Sequence, residues 1–71
     1  MIYNYYANLD STRNPNHNHE VHKDGCIRMP STEKRMYLGI FGRCEDALTA
    51  AKRIYPDADG CAICCPRCHR G

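Results

Sequence analysis

The chain of 71 residues carries ten Lys/Arg against eight Asp/Glu, a net charge of +2, with six Cys, five Tyr and no Trp. That length allows one small domain over residues 1–71, and so modest a charge excludes a dominant polyanion-binding footprint. Apolar residues make up 42% of the chain, but Cys and Tyr supply a large part of them, so a cross-link, metal or disulfide, must supplement aliphatic packing.

Met1 to Tyr6 has neither the basic nor the apolar region of a leader, and no apolar run approaches membrane-spanning length. A cytoplasmic, monomeric protein with reduced thiols and no membrane association is expected. Ile2 to Ala7, rich in Tyr, predicts a strand. Asn, Asp, Ser and Pro then crowd residues 8–18, which predicts a loop.

His19-Glu20-Val21-His22 is a short candidate strand ended by the turn residues Lys23-Asp24-Gly25. Strand alternation puts Glu20 and His22 on one face and His19 and Val21 on the other. H-E-x-H is not the H-E-x-x-H of helical metalloproteases, so Glu20 reads as an exposed carboxylate. Met36 to Phe41 predicts a third strand, with Gly39 marking a bulge or a close backbone approach. From Cys44 the period becomes helical, with Ala47, Leu48, Ala51, Ile54 and Tyr55 on one stripe. Acidic residues open this helix, basic residues close it, and Pro56 stops it. The fold class is therefore α+β: a small antiparallel sheet of two or three strands, one helix and a C-terminal Cys-rich zinc knuckle.

The knuckle holds two C-x2-C pairs, Cys61/Cys64 and Cys65/Cys68, with His69 adjoining. Two thiolates brought round a tight turn can reach one tetrahedral Zn2+, and Gly60 gives the first pair its turn freedom. His22-x3-Cys26 is the matching pair from the middle of the chain, so His22, Cys26, Cys61 and Cys64 are the expected ligands. Four protein donors close the coordination shell, making a structural rather than catalytic site, and metal binding becomes folding energy. Cys68, His69, Cys65, His19 and Cys44 are alternative ligands; Cys44 also reads as a small buried residue at the helix start.

Taken together, His19-Glu20-Val21-His22, Gly25-Cys26, Tyr37-Leu38-Gly39, Phe41, Cys44, Ala47, Ala51, Gly60-Cys61-x2-Cys64 and Cys68-His69 resemble a family of short Cys/His-rich bacterial proteins without an assigned activity. More distantly, His22, Cys26, the strand Tyr37 to Phe41, Ala47 to Ala51, and Cys61 with Cys64 resemble the zinc-binding domain of Ada-type DNA-repair methyltransferases. The connection from helix to knuckle is longer here, and thiols are added. The position matching the methyl-accepting thiolate is His22, so this resemblance does not imply methyl transfer. It does imply zinc and a nucleic-acid partner, for which Lys34, Arg35, Lys52, Arg53, Arg67 and Arg70 are the candidate contacts.

The expected function is a zinc-binding structural or interaction module with a protein partner and no enzymatic activity of its own. The alternatives are a weak nucleic-acid-binding module, a thiol-reactive protein using Cys65 beside Arg67, and a disulfide-stapled domain.

Overall fold

The computed structural model describes residues 2–9 and 18–70. Most of the expected loop at 8–18 lies outside the described residues; Asn8 itself closes the first strand. The elements are β1 (Tyr3–Asn8), β2 (Glu20–Lys23), β3 (Arg35–Phe41), α1 (Cys44–Lys52) and β4 (Asp59–Gly60), with short 3-10 turns at Thr32–Lys34 and Pro66–Cys68. They form one four-stranded sheet in the order β3-β1-β2-β4.

β1 is central and antiparallel to both neighbours: Tyr5, Tyr6 and Ala7 pair with Lys23, His22 and Val21 of β2. On the other side Tyr5 faces Gly39 and Tyr6 faces Tyr37, leaving Leu38 as the extra residue of a bulge. Gly39 there has φ +126, which L side chains rarely adopt, so the bulge expected at that glycine is present. β4 was not expected. Its two residues pair parallel to β2, with the Asp59 amide donating to His19 O and the Cys61 amide to Val21 O, both at 3.0 Å.

Alternation along β1 buries Tyr5 and Ala7, and Val21 of β2 joins them. The fully buried Ala47 and Ala51 belong to the same core cluster, their small side chains letting α1 lie close to the sheet. Helix entry matches expectation, with Glu45 and Asp46 in the first turn, and the basic Lys52 stands in the last. The stripe, however, ends sooner. The helix finishes at Lys52, the Ile54 and Tyr55 amides both donate to Ala51 O, and Ile54 turns outward at 54% exposure. Tyr5 and Phe41 meet edge to face at 6.1 Å.

Aliphatic packing is as sparse as the composition requires. The largest side chains buried to below 2% exposure are His22, Val21 and Cys61, so two of the three belong to the Cys/His cluster rather than to hydrocarbon. Burying a valine contributes about 2 kcal/mol, too little to hold a chain of this length against its conformational entropy without a cross-link.

Candidate metal centre

β2 and β4 bring the four expected donors to one point. β2 presents His22, and the turn that follows it returns Cys26: the Cys26 amide donates to Lys23 O at 3.0 Å, with Gly25 at φ +91 inside the turn. The pairing of the Cys61 amide with Val21 O lays the first knuckle cysteine beside His22. The Cys65 amide then donates to Cys61 O at 2.8 Å, closing the loop that holds Cys64. As a result one ligand atom from each of His22, Cys26, Cys61 and Cys64 lies within 4.8 Å of the others.

The measured separations fit a tetrahedral cation. Cys26 Sγ stands 3.9 Å from Cys61 Sγ and 3.7 Å from His22 Nδ1. Zn–S bonds of about 2.3 Å at tetrahedral angles place sulfurs roughly 3.8 Å apart. Backbone amides converge on the same sulfurs: Lys23 N donates to Cys64 Sγ at 3.2 Å, Arg28 N to Cys26 Sγ at 3.4 Å and Ile63 N to Cys61 Sγ at 3.4 Å. Such donors favour thiolate over thiol.

Burial opposes them. It pushes the Cys61 thiol up to about 12 and raises Cys26. Cys64 is raised first by its contact with Cys65 and then by burial. Burial, with Arg28 adding to it, lowers His22 to about 4, so its imidazole is neutral, the form that ligates. A divalent cation would reverse the thiol shifts by supplying the missing positive charge. His22 Nε2 is buried without a hydrogen bond, and Glu20 Oε1 stands 3.8 Å from it. Glu20 is thus not the exposed carboxylate expected: its side chain is only 16% exposed, on the strand face of His22. A small side-chain adjustment would let it accept the Nε2 proton and fix the ring with Nδ1 toward the sulfurs.

The remaining candidates lie elsewhere. Cys44 and Cys68 are joined in a disulfide, with Cα atoms 6.4 Å apart, which departs from the expectation of uniformly reduced thiols and makes these two sulfurs partners of each other. A carboxylate oxygen of Glu45 lies within 4.8 Å of both sulfurs, but it is held by Arg67, whose Nε and second guanidinium nitrogen donate at 2.8 and 2.9 Å. Cys65 is buried as a free thiol 3.8 Å from Cys64 Sγ. His69 Nδ1 bonds Gly60 O at 3.0 Å, and His19 stacks on Tyr55 at 3.8 Å while bonding Asp57 at 2.8 Å.

Gly60 is needed for a different reason from the one expected. A Cβ there would lie 2.6 Å from Cys68 Cβ and 2.9 Å from Cys65 O, so glycine permits close packing of the knuckle on β4. Buried Asp59 accepts the Arg70 amide at 2.9 and 3.1 Å and fastens the C-terminal segment over that contact. Of the basic candidates, Arg67 is taken by Glu45 and Arg35 lies over the Tyr6 ring at 4.4 Å; Lys34, Lys52, Arg53 and Arg70 are exposed.

No protein-family model, curated protein or solved structure matches the chain. Among the described residues no helix is long and apolar enough to cross a membrane. The protein is a small α+β, Cys/His-rich module with a candidate metal-coordinating cluster and a disulfide.

Proposed function

We propose that His22 Nδ1 and the thiolates of Cys26, Cys61 and Cys64 bind one Zn2+, and that the protein works as a zinc-held interaction module. The observation that carries this reading is the convergence of four soft donors from separate chain segments within 4.8 Å. One imidazole and three sulfurs suit zinc better than hard, oxygen-seeking cations. They fill a tetrahedral shell, so this metal serves folding and presents no open position to a substrate. Ile27 and Ile63, each next to a ligand in sequence, are 88% and 54% exposed. Both side chains are open to a protein partner. Native mass spectrometry of reductively purified protein is expected to give one zinc per chain. Absence of zinc, with the fold unchanged by a chelator, would refute the reading.

The Cys44–Cys68 bond favours a second, compatible reading, a disulfide-stapled module. It ties the start of α1 to the turn after the knuckle and needs no metal.

A further inference from the structure

We infer that Cys44–Cys68 is an exchangeable dithiol/disulfide pair, and that its substrate is a small anionic disulfide or thiol entering through the cleft beside Cys44. This inference rests on the disulfide reading and routes no step through the zinc site, although Cys64 is also a wall of the cleft.

The cleft has a volume of about 330 Å3, and its walls include Cys44, Cys64 and Cys65 together with Lys23, Arg43 and Arg67. Among the described residues three cationic side chains line it and no acidic residue does, although Glu45 and Asp46 stand against two of those cations; the balance favours a ligand bearing negative charge. The cations are held in place: the Lys23 ammonium sits 4.5 Å from the Tyr3 ring centroid, Arg67 is bidentate to Glu45, and Arg43 lies 3.5 Å from Asp46. Both cysteines are buried, at 8% and 4% exposure, but Cys44 belongs to the wall of this cleft and Cys68 does not, which makes Cys44 the one a ligand in the cleft would meet. Cys44 is also the first residue of the nine-residue α1, where the helix dipole favours a thiolate. Its Sγ is 3.7 Å from Glu45 Oε1, which Arg67 already holds.

These positions define the roles. In the dithiol form Cys44 loses its proton to solvent, and its thiolate attacks one sulfur of the bound disulfide RSSR. The S–S bond of RSSR breaks, and the first RS− leaves and takes a proton from solvent. Cys68 then loses its proton to solvent and attacks the Cys44 sulfur of the mixed disulfide, and the second RS− leaves as RSH after protonation by solvent. The protein dithiol is oxidised by two electrons and RSSR is reduced to two RSH; excess RSH drives the same steps in reverse.

The test uses zinc-loaded full-length protein. Its intact mass after denaturation and removal of the metal, two hydrogen atoms below that of the six-thiol chain, first establishes the bond. After mild phosphine reduction and desalting, re-oxidation is followed by acid quench, alkylation and mass spectrometry. The probes are oxidised glutathione, which is anionic, and cystamine, which is dicationic. Each rate is divided by that of the same probe with free cysteine.

The expected preference for oxidised glutathione is about tenfold at low salt. It should shrink in 1 M salt and in Arg43→Ala and Lys23→Ala. Cys68→Ser should trap the glutathione adduct on Cys44, while wild-type kinetics keep the test independent of that variant's folding. Equal normalised rates, or an adduct on Cys65 instead of Cys44, would overturn the inference while leaving the staple in place. Absence of the bond from air-oxidised protein would remove the staple reading itself.

Discussion

The two sulfur sites of this small domain join distant parts of the chain by different physics. At the end of β2, four donors lie within 4.8 Å of one another, with Cys26 Sγ 3.7 Å from His22 Nδ1 and 3.9 Å from Cys61 Sγ, and no covalent bond joins them. At the start of α1, Cys44 and Cys68 are joined covalently. The first arrangement gathers thiols whose pKa values are raised, at Cys61 by burial and at Cys64 by contact with Cys65 and then by burial, so without a cation the sulfurs stay protonated and form no cross-link. The second is complete by itself. The difference teaches that one fold can carry two cross-links with separate sensitivities, one to chelators and one to reductants.

The comparison can be broken most sharply at Cys61, which is 1% exposed. Cys61→Ser should remove zinc binding and leave the domain largely unfolded at 25 °C, as seen in far-UV circular dichroism and metal analysis. Replacing Cys44 and Cys68 together by Ala should cost less, about 3 kcal/mol in urea unfolding of the zinc-loaded protein. Zinc stoichiometry should be unchanged. If the double variant lost zinc and the Cys61 variant did not, the assignment of the two sites would be reversed.

Gly60→Ala sharpens the comparison at the point where the sites share backbone. A Cβ 2.6 Å from Cys68 Cβ must push the second site away from the first, at a cost of about 2 kcal/mol. Chemical denaturation measures it, and a change below the experimental scatter would show that the contact relaxes freely. The smallest effect is expected from Glu20→Gln. The amide keeps the shape but loses the charge that would orient the His22 ring, and competition with a chromogenic chelator should show about tenfold weaker zinc binding.

Acidity separates the metal-free and metal-loaded states. Burial lowers His22 from 6.5 to about 4, so the unfolded imidazole takes its proton first and stability falls as pH drops through that interval. Cys61 is raised from 9.0 to about 12, so the metal-free fold also loses stability as pH rises over that range. Zinc, which holds the thiolate, should abolish the alkaline loss and leave the acid one. Thermal melts with and without a chelator across pH would show both limbs.

Much of this was legible in the sequence because it rests on local pattern. Tyr-rich β1, the alternation around Val21, the glycine in β3 and the charge-ordered start of α1 each follow from neighbouring residues. So does the clustering of His22, Cys26, Cys61 and Cys64, since H-x3-C and C-x2-C are short chelating spacings and a closed tetrahedron needs two such pairs. What escaped depends on long-range approach. β4 is two residues with no strand pattern, defined by its parallel pairing to β2. Cys44 and Cys68 are 24 residues apart, and no spacing rule links them. Ile54 keeps the helical period past the helix end, so its place on the apolar stripe does not survive the turn of the chain after Lys52. Glu20 was misread for another reason: strand parity placed it on the face of His22, and its value as a partner for Nε2 went unused.

The coordination shell is the most direct test of the account. Zinc K-edge X-ray absorption of the reductively purified protein should fit three sulfurs at about 2.3 Å and one nitrogen at about 2.0 Å. A shell of four sulfurs, or one dominated by oxygen and nitrogen, would contradict it.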